Sequence, residues 1–374
     1  MVSTFLDHPG PTRVISGPGS SDRLPEWIAS AGACRVLLVT DAGLVAAGHP
    51  ARIALALEGA GIAVRTYDMV VENPDMDSID RCVAEAKAFG ADAFVALGGG
   101  SSMDTAKGAA LLCANGGSLM DFWHTGEEGV PLAPLVAIPT TAGTGSEMQS
   151  YAIISHPKTH RKMAIGTPHL APRLAILDGV FSATLPQRVT ALTGVDATSH
   201  AVEAAVTNIA TDLGIAFARE AWERIRHAFP RVLDDPGDVL ARQEMLLGAA
   251  GAGLAIEHGM LGAAHALANP LTALHGVPHG QAVGVMLPHV VRHNGGDASA
   301  RRRYDVLGGV ESVEEFCRAI LIRTGLATTL SDLGVSADEI PHLAELAVEQ
   351  WTAGFNPRPV NESTLADLYR AALD

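Results

Sequence analysis

Asp196 and His200 stand four residues apart in TGVDATSHAVE, a spacing that puts a carboxylate and an imidazole on one face of a helix, within reach of a single ion. Taken alone, Asp-x-x-x-His is common, and most examples are surface pairs on a helix. Two more histidines stand where histidine is unusual: His265 in the Ala/Leu-rich GAAHALANPLTALH, and His279 directly after Pro278 at the start of another apolar stretch. Pro270 and the Gly276-Val277-Pro278 turn are expected to break the helix between them, so the two approach from different elements. Either one singly reads best as a buried histidine satisfied by a backbone carbonyl. With Asp196 and His200 they make a donor set of one carboxylate and three imidazoles, which suits Fe²⁺ or Zn²⁺ and leaves a position open. The net charge is about +1 if the imidazoles are neutral. Such an ion polarises a carbonyl or stabilises an alkoxide.

A second kind of chemistry is written in the first half of the chain. In ADAFVALGGGSSMDTAKGAALLCA an apolar strand runs into Gly98-Gly99-Gly100-Ser101 and then into a helix carrying Asp104 and Lys107. Strand, glycine turn and helix start form a phosphate cradle: glycine lets backbone approach a pyrophosphate, and free amides with the helix dipole favour an anion. The run is not the G-x-G-x-x-G fingerprint, and on its own it also fits a tight turn with no ligand. A second loop, Pro139 to Glu147, follows another apolar strand and offers the hydroxyls of Thr140, Thr141, Thr144 and Ser146, suited to ribose, phosphate or carboxamide. Two such loops on neighbouring strands point to a shared nucleotide crevice. Asp41, ending RVLLVTD, fits either a helix N-cap or a carboxylate that accepts from the adenosine ribose and repels a 2′-phosphate, which favours NAD over NADP.

The elements that must carry these groups fall into two halves. Up to about residue 180, the runs RVLLVTD, GIAVRTYD, ADAFVALGGG and APLVAIPTT alternate with amphipathic stretches, the pattern of βαβ units and a parallel sheet. Beyond Pro186 long Ala/Leu/Glu/Arg-rich segments take over and read as all helical. The expected fold is an α/β, Rossmann-like, dehydroquinate synthase-like domain over 1–182 and an all-α metal-binding domain over 183–374, with Ser182 and Pro186 as helix-start signals.

A chain of 374 residues exceeds the size of most single cores, and 48% hydrophobic with 18% charged residues is a globular composition. The net charge of −15, without any Lys/Arg cluster, argues against nucleic acid. Cys34, Cys82, Cys113 and Cys317 are widely separated, so neither a disulfide framework nor a thiolate site is suggested. The first ten residues lack a basic start followed by an apolar stretch, and the Ala/Gly-rich run near 246–256 is too short to span a bilayer. A cytoplasmic location is expected, with no membrane partner.

Taken together these residues resemble the iron-containing (group III) alcohol dehydrogenases, relatives of glycerol dehydrogenase and dehydroquinate synthase. The resemblance runs from Val39-Thr40-Asp41 through GGGSSMDTAK, PTTAGTGSE, Lys162-Met163, TGVDATSHAVE and the His265–His279 segment to Asn356-Pro357-Arg358-Pro359. It implies that Gly98, Gly99, Gly100 and Ser101 hold the pyrophosphate, followed by the helix of Asp104 and Lys107. Thr140, Thr141 and Thr144 would flank adenine and nicotinamide, and Lys162 the ribose. Asp196, His200, His265 and His279 match the family's metal ligands, with iron expected and zinc often accepted. The activity implied is hydride transfer between NAD(H) and a small alcohol or aldehyde, by a homodimer or larger homo-oligomer.

Two positions depart from the family pattern. Asn269 stands four residues after the third ligand, where many relatives carry a histidine thought to relay protons, and asparagine cannot titrate. Either His275 takes over that role, or the proton leaves through water and a cofactor hydroxyl. Gly179 replaces a frequent proline. Of the rival readings, maleylacetate reductases generally lack this ligand set, and a dehydroquinate synthase needs a basic pocket that the helical half does not show. A non-catalytic dinucleotide sensor would keep the metal without the chemistry. The substrate is not readable: Trp123, His124, Tyr151, His258 and Trp351 fit a pocket, though residues of these types are more often core.

Overall fold

The computed structural model describes residues 10–156 and 162–374; the N-terminal segment read above for a leader lies, but for Gly10, outside them. The chain divides into two compact units, one of residues up to Thr141 together with Ser146–Leu185, the other of Ala142–Gly145 together with Pro186–Asp374. The division after Leu185 falls three residues later than the expected boundary at 182. Residues 179–182 form a short turn whose Phe181 and Ser182 are buried in the α/β unit, so the changeover comes only at Pro186.

In the first unit the strands are β1 (Arg13–Ser16), β2 (Arg35–Val39), β3 (Ala63–Tyr67), β4 (Ala93–Gly98), β5 (Leu135–Pro139), β6 (Tyr151–Ser155), β7 (Lys162–Gly166) and β8 (Leu174–Leu177). Its helices are α1 (Leu24–Ser30), α2 (Ala42–Ala46), α3 (His49–Gly59), α4 (Met76–Phe89) and α5 (Gly100–Asn115). Six strands form one parallel sheet in the order β1-β8-β5-β4-β2-β3, and β6 pairs with β7 as a separate antiparallel hairpin. The period of two along the strands divides the core. Leu37, Val39, Phe94, Ala96, Leu135 and Ala137 pack against α4 and α5. Their neighbours Val36, Leu38, Val95, Leu97, Val136 and Ile138 pack with α1 and α3 on the other face. A sheet covered on both faces has strands that are apolar throughout, which is why β4 and β5 read as uninterrupted runs.

This strand order locates a crevice before any ligand is considered. From β2 the chain goes outward to β3 through α3 on one face, then returns across β2 to β4 through α4 on the other. Between β2 and β4 the winding therefore reverses, and open parallel sheets bind ligands outside the carboxyl ends of strands at such a switch point.

The second unit holds α6 (Gln187–Ala204), α7 (Asp212–Asp234), α8 (Val239–Gly259), α9 (Ala263–His275), α10 (His279–Asn294), α11 (Ala298–Tyr304), α12 (Val310–Thr324), α13 (Ile340–Val348) and α14 (Glu362–Ala371). Pro270 does not break α9 as expected; the helix continues through it and ends at Gly276, whose φ of +63° gives the left-handed C-cap. His265 and His279 still fall on separate helices. By length and composition α8, with 21 residues, could cross a membrane, longer than the 246–256 run suggested, but 83% of its apolar window is buried inside the protein. α10 lies directly on the backbone of α6. A Cβ at Gly280 would sit 2.1 Å from the carbonyl oxygen of Leu192, so only glycine permits this approach, one residue after His279 and four before Asp196.

Candidate metal centre and nucleotide crevice

Three helices deliver the metal-type side chains. α6 contributes Asp196 and His200 from one face, α9 presents His265 from its first turn, and α10 begins with His279. The three imidazoles surround a single carboxylate oxygen: Asp196 Oδ1 is 3.4 Å from His200 Nε2, 3.7 Å from His279 Nε2 and 3.8 Å from His265 Nε2. The ligand atoms of Asp196, His265 and His279 all lie within 4.8 Å of one another. The His200 ring stacks on that of His265 with centroids 5.0 Å apart.

These separations suit an ion better than they suit one another. Asp196 Oδ1 and His265 Nε2 are buried, yet neither makes a hydrogen bond. Two ligands on bonds of about 2.1 Å in a tetrahedral arrangement stand roughly 3.4 Å apart, close to what is seen. Electrostatics agree. Burial alone would push Asp196 up, but His200, His265 and His279 together hold its carboxyl well below the usual carboxylate range. Burial pulls His265 down, and the carboxylates of Asp196 and Glu203 reverse this, lifting it to about 9; His200, where burial dominates, is lowered. A permanent carboxylate among three convergent nitrogens is a site that a divalent cation completes. Asp196, His200 and His265 are buried while the side chain of His279 is 27% exposed, so the cluster opens on the His279 side.

Glu203, not singled out from sequence, belongs to this cluster. Its Oε2 lies 2.5 Å from His265 Nδ1, and its Oε1 accepts from the Ala264 amide at 2.7 Å. The signal was available: Glu203 follows His200 by three residues and Asp196 by seven on a buried helix, so all three share a face. Asn356 of the Asn-Pro-Arg-Pro motif also supports the turn, accepting from the Ala263 amide at 3.2 Å.

Asn269, one turn beyond His265, donates from Nδ2 to Gln350 Oε1 at 3.0 Å. His275, in the last turn of α9, has Nε2 3.4 Å from Glu339 Oε1. Ten residues of helix put its Cα about 15 Å along the axis from that of His265.

Asp41, Gly98–Ser101, Thr140 and Thr141 stand at the ends of β2, β4 and β5, around the switch point. Gly98 ends β4, Gly99 is the N-cap of α5, and Gly100 and Ser101 open that helix, whose first amides have no intrahelical acceptor. Gly98 has φ of +156°, and a Cβ there would meet Ser102 Oγ at 2.2 Å. Thr140, at the end of neighbouring β5, donates its amide to the Gly98 carbonyl at 2.9 Å, and Thr141 packs on Gly99. Asp41 follows β2 and caps α2, its Oδ1 accepting from the Leu44 amide at 3.1 Å; the N-cap reading of this residue is thus present in the structure. Ser101 Oγ accepts from the Asn73 amide at 3.2 Å. Lys162 is exposed at the start of β7. Thr144 lies in the 142–145 segment that groups with the helical unit.

Asp104 and Lys107 point away from solvent. Lys107 is fully buried among the carbonyls of Ser146, Gln149 and Tyr151, and Asp104 accepts from Ser146 Oγ at 2.9 Å. Of the aromatic-type pocket candidates, Trp123, His124 and Tyr151 belong to the first unit, while His258 packs on Phe217 and Trp351 on Phe355 in the second.

A doubly wound parallel sheet with a glycine turn at its switch point, joined in one chain to a helical unit carrying an Asp/His₃ cluster, is the framework of a metal-dependent dinucleotide enzyme. Comparison with known proteins specifies it further. Residues 11–179 match the model of the iron-containing alcohol dehydrogenases, and residues 190–373 match the C-terminal model of the same family. Lactaldehyde reductase of Escherichia coli is 33% identical over 95% of this chain and 96% of its own length. The NAD-dependent methanol dehydrogenase of Bacillus methanolicus is 32% identical, with 97% and 98% covered. The crystal structure of sulfoacetaldehyde reductase from Bifidobacterium kashiwanohense, in complex with NAD⁺, superposes with a TM-score of 0.91 at 27% identity, covering 98% of both chains. The chain belongs to the iron-containing alcohol dehydrogenase family. It is an oxidoreductase that exchanges hydride between NAD(H) and an alcohol or aldehyde with a divalent metal.

Proposed function

We propose that Asp196, His200, His265 and His279 hold one divalent ion, Fe²⁺ in preference to Zn²⁺, and that the substrate is a short-chain alcohol or aldehyde. The observation that carries the metal assignment is the convergence of three Nε2 atoms, within 3.8 Å, on an Asp196 oxygen without a hydrogen bond. When bound, the ion would supply Lewis-acid polarisation of the substrate oxygen, and NAD(H) would serve as the hydride acceptor or donor. The chain's own residues do the rest. Asp196 contributes the negative charge, Glu203 holds His265, and the burial of Asp196, His200 and His265 keeps water from all but the His279 side. Relatives named for lactaldehyde, methanol and sulfoacetaldehyde support a small substrate.

In the crevice at the ends of β2 and β4 we assign the pyrophosphate to Gly98–Ser101 and the α5 amides, and the adenosine ribose to Asp41, with Thr140, Thr141, Thr144 and Lys162 as further cofactor contacts. Asp104 and Lys107 support that helix from inside. Asn269 takes no proton; the proton leaves either by His275, which lies beside Glu339, or through water and a cofactor hydroxyl. A homodimer in the cytoplasm completes the reading. Incubating metal-loaded protein with NAD and a panel of short primary alcohols tests it: reduced nicotinamide should accumulate with at least one of them, and none forming with any alcohol, nor consumed with any aldehyde, would refute it.

A further inference from the structure

Glu203 is 3% exposed, and both its oxygens are engaged by the first turn of α9. Two donors face it, the Ala264 amide at Oε1 and the ring of His265 at Oε2. A neutral imidazole that donates Nδ1–H to a carboxylate keeps its lone pair on Nε2, and Nε2 is the atom of His265 turned toward Asp196. Asn356 secures the same turn independently. Its Oδ1 accepts from the Ala263 amide, and its own amide donates to Asn294 Oδ1 at 2.7 Å, without touching the His265 ring.

We infer that Glu203 is a positioning residue of the metal centre, fixing the tautomer and ring plane of His265. The inference rests on the assignment of Asp196, His200, His265 and His279 as ligands.

Glu203→Gln separates this role from packing. A carboxamide of the same shape has one acceptor oxygen, so it can serve either the Ala264 amide or the His265 ring, and presents its NH₂ to the other. The dissociation constant for Co²⁺, measured against a competing chelator, is expected to rise roughly 10- to 100-fold, with altered visible bands of the bound ion. Asn356→Ala, which loosens the same helix start without touching the ring, is expected to lower the melting temperature of the metal-free protein and leave Co²⁺ affinity close to wild type. Wild-type affinity in Glu203→Gln overturns the inference. So does an equal weakening by Asn356→Ala, which would assign the effect to the helix start. If His279→Ala binds Co²⁺ as the wild type does, the ligand assignment itself is wrong, and the role of Glu203 falls with it.

Discussion

The ammonium of Lys107 lies 2.7 Å from the carbonyl oxygen of Ser146, in a buried cage closed by the carbonyls of Gln149 and Tyr151 at 2.8 and 2.7 Å. The lysine of the helix that follows the glycine turn thus ties α5 to the segment entering β6. Lys107→Met keeps the bulk and leaves those carbonyls without their donor, so the unfolding free energy should fall by about 3–5 kcal/mol. Denaturant titration checks this, and the NAD dissociation constant of the folded fraction should hardly move.

Glu147 neighbours that cage, 2% exposed and with Oε1 making no hydrogen bond. Burial pushes its carboxyl up to about 7, and that of Asp104, against the pull of Lys107, up to about 6. Both folded values lie above the ordinary 4.5 and 3.8, so over that window the folded chain holds protons that the unfolded chain has released. Stability from these groups therefore falls as pH rises through the window and levels off above it. Glu147→Gln should match the wild type near the acid end and exceed it by about 2–3 kcal/mol at slightly alkaline pH. A stability difference independent of pH would contradict the burial argument.

At Gly98, φ of +156° and the Ser102 side chain both exclude a Cβ. Gly98→Ala should cost about 1–3 kcal/mol from backbone strain alone and weaken NAD binding more than it weakens Co²⁺ binding. Isothermal titration of the folded variant with each ligand separates the two effects.

Asp41→Gly keeps a tolerated N-cap, so the stability loss should be only a few tenths of a kcal/mol. The preference for NAD over NADP, read as the ratio of kcat/KM values, should shrink as the repulsion of a 2′-phosphate disappears. An unchanged ratio would leave Asp41 as the cap of α2 and nothing else.

How much of this was legible depended on whether the signal was local. β2, β4 and β5 were readable as runs, because strands covered on both faces are largely apolar and end in glycine or hydroxyl loops, whereas β3, at the sheet edge with mostly exposed side chains, showed only as the short run GIAVRTYD. β1 and β8, four residues each, are too short to show a period. Asp196 and His200 announced themselves by spacing, and His265 and His279 by standing on apolar walls. Pro270 misled, because a proline inside a helix removes one donor without stopping a turn otherwise fixed by packing. Glu203 was passed over because its partner is 62 positions away, and only the meeting of α6 with α9 shows that they touch. The reach of Lys107 to Ser146, across 39 positions, was hidden for the same reason.

The most direct test of the metal centre is to strip the protein with a chelator and return Fe²⁺ anaerobically, or Zn²⁺, while following alcohol-dependent reduction of NAD. Activity should rise in proportion to added ion and break sharply at a single equivalent per chain. His265→Ala and His279→Ala should bind NAD but recover nothing. Full turnover in the stripped protein, or restored activity in either variant, would contradict the account.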